Sequence, residues 1–115
     1  MSEYSIYHNP RCRKSREALQ ILEDRGEVIE IIKYLDTPPS AAILSEIIAK
    51  LGIAPIDLIR KNETIWKEQF KGKALTDAEI VNAMVAHPKL IERPIVIKGN
   101  KAIVGRPPEG ITSIL

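Results

Sequence analysis

The first 32 residues constrain the fold more than any other part of this 115-residue chain. Tyr4-Ser5-Ile6-Tyr7 is a short run of β-branched and aromatic residues closed by Asn9-Pro10, which reads as a strand. Ala18, Leu19 and Leu22 follow Ser15 at i+3, i+4 and i+7, the period of an amphipathic helix. Gly26 suits the position just past that helix, which is expected over about residues 12–25. Val28-Ile29-Glu30-Ile31-Ile32 reads as a second strand, largely apolar and therefore expected to be buried on both faces. Strand, helix and strand at this spacing make a βαβ unit with parallel strands and a right-handed crossover.

Asp36-Thr37-Pro38-Pro39-Ser40 then breaks the pattern, with Ser40 able to cap the next helix. That helix carries Leu44, Ile47, Ile48 and Leu51 on one face and stops at Gly52. Pro55 opens a short helix through Ile56, Leu58 and Ile59 that ends near Arg60-Lys61-Asn62, and a less regular helical stretch follows around Ile65 to Phe70. Thr76 and Glu79 form a capping box before Ile80, Ala83 and Met84, and His87-Pro88 ends that helix. Residues of about 36–91 are thus a helical insert within a single domain spanning 1–115. Pro94-Ile95-Val96-Ile97-Lys98 resumes as a strand, and Gly99-Asn100 turns it into Lys101-Ala102-Ile103-Val104 as a hairpin. A terminal helix is expected over Glu109–Leu115.

This order is the thioredoxin-like arrangement, an α/β fold with a four-stranded mixed sheet, expected strand order 2-1-3-4, flanking helices and a helical insert. Arg93-Pro94 directly precedes the third strand, a position proline tolerates. In thioredoxin-like folds the equivalent proline is usually cis and lies beside the active-site cysteine, so a cis bond is expected here.

A chain of this length buries a core without disulfides or metal. No apolar run approaches bilayer-spanning length, and the polar N-terminus does not read as a signal peptide, so no membrane partner is expected. The single cysteine permits no internal disulfide and suits a reducing cytoplasm. A net charge of +2 is too small to imply nucleic acid, and aromatics are too scarce for a base-stacking platform. The basic character is local, which points to a small anion.

It is concentrated in His8-Asn9-Pro10-Arg11-Cys12-Arg13-Lys14-Ser15. Cys12 falls between strand and helix, at or next to the helix N-terminus, where free amide groups and the helix dipole favour a thiolate. Arg11, Arg13, Lys14 and Arg16 precede the first acid, Glu17, although cations at this end oppose the dipole. Such a local conflict is expected where function overrides propensity. The competing reading is a buried, inert cysteine beside a solvated basic face. Ser15, one turn into the helix, either donates its hydroxyl to the thiolate or packs as a small residue. His8 either lowers the thiol pKa as a cation or is a hydrogen-bonded structural residue. Asn9 is a candidate to orient the loop or the anion. Two separated histidines and one cysteine make no ligand set of known spacing, so no metal is expected.

Six features in order, His8-Asn9-Pro10-x-Cys12-x-x-Ser15, Leu51-Gly52-Ile53, Leu58-Ile59-Arg60-Lys61-Asn62, His87-Pro88, Glu92-Arg93-Pro94-Ile95-Val96 and Gly105-Arg106-Pro107, resemble the glutaredoxin-linked, thioredoxin-fold arsenate reductases. The likeness covers essentially the whole chain and is nearest to the short branch, which stops soon after a segment like Arg106-Pro107-Pro108. The resemblance implies reduction of arsenate to arsenite with Cys12 as nucleophile. Arg60, Arg93 and Arg106 would hold the oxyanion, and a planar, permanently charged guanidinium suits that task. It further implies glutathione as co-substrate, glutaredoxin as the reducing partner and no bound cofactor.

Three other readings compete. The phosphatase-type arsenate reductases place an arginine where this chain has Ala18, so that reading fails. A glutathione-linked thiol redox protein of the monothiol glutaredoxin kind shares the Cys12–Ser15 spacing but has less need of three distant arginines. A regulator that binds RNA polymerase, as the related Spx proteins do, shares Arg-Pro before the third strand. Ser15 stands where many of those proteins have a second cysteine, so an internal disulfide switch is excluded.

Overall fold

Strand β1 (Tyr4–Tyr7) is the axis of the sheet, with both edges occupied. It pairs in parallel with β2 (Ile29–Ile32), with Tyr4 opposite Ile29, and antiparallel with β3 (Ile95–Lys98), with Tyr7 opposite Ile95. β3 turns at Gly99 (φ 57°) into β4 (Lys101–Val104), giving the expected order β2-β1-β3-β4. The computed structural model describes residues 4–106 and 108–114, so Pro107 of the Gly105-Arg106-Pro107 motif and the terminal Leu115 lie outside the described residues.

The sheet belongs to one of two units, Met1–Thr37 with Arg93–Leu115; the other is Pro38–Glu92. In the first, α1 (Arg13–Asp24) lays Ala18 and Leu22 against Tyr4, Ile6 and Val96, and Ile111 closes the same core. Ile111 belongs to a 3-10 helix over Pro108–Ile114, where the sequence leads one to expect a terminal helix. β2 departs from expectation. Its apolar run is not buried on both faces: Val28 is 67% and Ile31 46% exposed, while Ile29 packs on the core. The sheet order puts β2 at an edge, and apolar composition alone cannot distinguish an edge strand from a central one.

The second unit follows its local signals closely. α2 (Ala41–Leu51) begins with the Ser40 hydroxyl accepting the Ile43 N–H at 3.2 Å and ends at Gly52, whose φ of 69° requires a residue tolerant of the left-handed region. A 3-10 helix at Pro55–Leu58 and α3 (Thr64–Gln69) follow. α4 (Asp77–Ala86) carries the expected capping box: Thr76 Oγ1 accepts the Glu79 N–H at 3.2 Å, and the Glu79 carboxylate accepts the Thr76 N–H at 3.0 Å. His87 caps its C-terminal end, and a further 3-10 helix spans Pro88–Leu90. No helix among the described residues is long and apolar enough to cross a membrane.

Candidate active site

Cys12 is the N-cap of α1, with extended backbone (φ −92°, ψ 121°), no side-chain capping bond and no acid in the first turn behind it. The turn that delivers it is fixed from Asn9. The Asn9 carbonyl accepts the Cys12 N–H at 2.9 Å, and its side-chain Oδ1 accepts the Arg11 N–H at 3.0 Å. One residue earlier, the His8 N–H donates to the Ile32 carbonyl at 2.8 Å and ties the loop to the end of β2.

Beneath the turn lies a buried polar cluster of His8, Asn9 and Ser15. The Ser15 hydroxyl shares a 2.6 Å hydrogen bond with His8 Nδ1 and accepts the Asn9 N–H at 3.1 Å. Ser15 therefore reaches the sulfur through its backbone N–H, while its hydroxyl is engaged with His8 and Asn9. His8 does not fit the role of a cation acting on Cys12. Burial, then the Lys33 and Arg16 charges, hold its pKa below the usual 6.5, with Glu23 opposing them. At neutral pH the ring is uncharged and braces the loop.

The cations that act on the sulfur are not those next to it in sequence. Burial pushes the Cys12 thiol up. The Ser15 backbone N–H, the hydrogen bond and charge of Arg93 and the hydrogen bond of Arg106 outweigh it, and the pKa falls below its ordinary 9.0. Arg106 Nη1 stands 3.8 Å from the sulfur and 3.2 Å from the Arg93 carbonyl oxygen, to which it donates. By contrast, Arg13 pairs with Glu17 at 2.9 Å in solvent, and Arg16 donates to the Pro10 carbonyl at 3.0 Å. Arg11 and Lys14 are exposed.

The hairpin explains why residues so far along the chain meet here. Ile95 faces Val104 in the β3–β4 ladder, and the same register carried two residues further sets Arg93 opposite Arg106. The Arg93–Pro94 bond is cis, as expected. Gly105, between β4 and Arg106, donates its N–H to the Pro94 carbonyl at 2.8 Å. A Cβ on Gly105 would come within 3.0 Å of Pro94 Cγ, 3.1 Å of Ile111 Cγ2 and 3.5 Å of Ala18 Cβ. The approach of the two arginine-bearing segments therefore depends on glycine at this point.

Arg60 lies in the Pro38–Glu92 unit. Its N–H donates to the Leu90 carbonyl at 2.7 Å, beside the Ile59–Ile91 bridge, and its Nε is 3.7 Å from the Glu92 carboxylate. Neither that carboxylate partner nor the part of Lys33 in lowering the His8 pKa is legible in the sequence. Among the described residues, no three His, Cys, Asp or Glu side chains gather as a metal ion would require.

A thioredoxin-like sheet that sets a cysteine at a helix N-terminus within reach of arginine guanidinium groups defines a class of thiol protein. Within that class the chain belongs to the ArsC family, which it matches over residues 7–114. It is 45% identical, over the full length of both chains, to the arsenate reductase of Neisseria meningitidis serogroup A. It is 43% identical to the Escherichia coli K12 protein YfgD, over 98% of this chain and 97% of that one. Among solved structures, the arsenate reductase of Vibrio cholerae superposes with a TM-score of 0.95 at 44% identity, covering 99% of this chain and 98% of the other.

Proposed function

We propose that the protein reduces arsenate to arsenite, with Cys12 as the nucleophile and Arg93 and Arg106 as ligands of the oxyanion. The observation that carries this reading is the Cys12 sulfur at the N-terminus of α1 with two guanidinium groups acting on it. Relatives named as arsenate reductases support the choice of oxyanion. The family pattern gives Arg60 the same task as Arg93 and Arg106, and that assignment belongs to the proposal.

In this mechanism the Cys12 thiolate attacks arsenic and a hydroxyl leaves as water, giving a thiol–arsenate adduct. The arginines neutralise the charge on its oxygens. The thiol of glutathione, the co-substrate, displaces a second hydroxyl as water and forms a sulfur–arsenic–sulfur linkage. A glutaredoxin thiolate then takes the glutathione sulfur as a mixed disulfide and leaves the electron pair on arsenic, which is thereby reduced from the +5 to the +3 state. Water releases arsenite and restores the Cys12 thiol. No bound cofactor takes part, and the dependence on glutathione and glutaredoxin places the reaction in a reducing cytoplasm.

The test is arsenite formation from arsenate with glutathione and glutaredoxin, in wild type and in Cys12→Ser. Turnover in wild type that disappears in the variant supports the proposal. Absent turnover in a wild type whose Cys12 is still alkylated as a low-pKa thiolate transfers the site to another substrate of glutathione-linked thiol chemistry.

A further inference from the structure

The helical unit holds a cleft of about 540 Å³ whose lining combines apolar and basic side chains. Trp66, Phe70 and Ile80 line it, and so do Lys61, Lys71 and Lys73. The one carboxylate in the lining is Asp77, in the first turn of α4, where the helix dipole favours an acid. The three lysines are exposed, and no ion pair among the described residues engages any of them. Two are held by a tight turn: the Lys71 N–H donates to the Trp66 carbonyl at 2.9 Å and the Lys73 N–H to the Phe70 carbonyl at 3.1 Å, with Gly72 between them at φ 83°. The turn thus sets the backbone of two cationic residues beside an apolar cleft, with no acid among the described residues paired to either.

We propose that this cleft docks an acidic segment of a protein partner, with an apolar side chain on Trp66 and Phe70 and carboxylates on the three lysines. The size lies within the range of binding clefts. Charge complementarity selects an acidic occupant, and hydrated point charges such as lysine suit the steering of flexible carboxylates. The aromatic arrangement disfavours single-stranded nucleic acid. Trp66 is only 7% exposed and stacks on Phe70 at 5.6 Å, and Phe70 forms a T-shaped pair with His87 at 5.9 Å, so the rings present a packed apolar wall to a side chain rather than the free faces that successive stacked bases need.

Trp66 is the only tryptophan of the chain and reports on the cleft directly. The probe is the peptide acetyl-Asp-Glu-Leu-Phe-Glu-Glu-amide, titrated while Trp66 emission and the amide resonances of Lys71 and Lys73 are followed. The expected result is a saturable change in both, weakened by added salt and by about tenfold or more in Lys61→Glu/Lys71→Glu/Lys73→Glu, the scale expected when several rim charges reverse. That variant changes only exposed side chains, and its fold is checked by circular dichroism. The proposal is overturned if millimolar peptide moves neither signal. Equal binding by a peptide with lysine in place of each acid, or by the charge-reversed protein, also overturns it. Tighter binding of an oligothymidine at the same resonances would replace it with a nucleic-acid site.

Discussion

The N-termini of α1 and α4 are built on opposite principles. α4 opens with Thr76 and Glu79 satisfying each other's backbone donors and with two acids, Asp77 and Glu79, facing the positive end of the dipole. α1 opens with a cysteine that makes no side-chain capping bond, has no acid in its first turn and is followed directly by cations. The first arrangement stabilises a helix. The second forgoes that stabilisation and leaves a helix end that favours a thiolate. Under the proposed function, the difference marks the helix end at which stability yields to chemistry.

Exchanging one end for the other breaks the comparison most sharply. Cys12→Asp supplies the missing cap and is expected to stabilise the protein by about 1 kcal/mol relative to Cys12→Ala while reducing turnover to background. Urea unfolding and the arsenite assay read the two effects. A destabilised Cys12→Asp would mean that this helix end lacks nothing an acid can provide. Next in size, Arg93→Ala is expected to lower kcat/KM for arsenate by about 100-fold, the scale of one lost charge-stabilising donor. It also raises the Cys12 pKa, followed by the pH dependence of iodoacetamide alkylation. Arg106→Ala raises it less, because Arg93 acts through both a hydrogen bond and its charge.

Much of this was legible beforehand, and what was not has physical causes. The order of the elements, the caps at Ser40 and Thr76 and the place of Cys12 all follow from local periodicity and side-chain chemistry, which act over a few residues. The strand order is instead expected from the thioredoxin-like arrangement that this element order matches. The meeting of Arg93 and Arg106 was legible too, since each lies six residues from the Gly99-Asn100 turn and an antiparallel hairpin brings equidistant positions together. The family resemblance pointed to both arginines; the hairpin register explains their proximity. The cations beside Cys12 misled, because sequence proximity does not say which way a side chain points. Arg13 turns to Glu17, and Arg16 to a carbonyl. The uncharged state of His8 could not be read at all, since it depends on burial and on Lys33, brought near by the fold.

Gly105 tests how far the site depends on close packing. Gly105→Ala pushes a methyl group against Pro94 and Ile111 and is expected to destabilise by about 1–3 kcal/mol, read by urea unfolding, with reduced turnover as Arg106 is displaced. Thr76→Ala is the smaller counterpart in the other unit. It costs about 1 kcal/mol through the lost cap and leaves Cys12 alkylation unchanged.

The smallest effect concerns His8 and separates a brace from a cationic activator. Because its folded pKa lies below 6.5, the unfolded chain binds a proton that the folded chain refuses as the pH falls past that value. The stability due to neutral His8 is therefore complete above about pH 6.5 and is lost as the pH falls through the lower folded pKa. Urea midpoints of wild type should fall in that window more steeply than those of His8→Gln, which has no ring to charge. Alkylation of Cys12 adds an independent reading. With His8 neutral, the rate rises with pH along a single curve set by the thiol, which Arg93 and Arg106 hold down. A charged His8 supporting the thiolate would add a second step, a rise in thiolate reactivity as the imidazolium lost its proton, and that step in wild type, absent from His8→Gln, would show that the ring acts on the sulfur by charge.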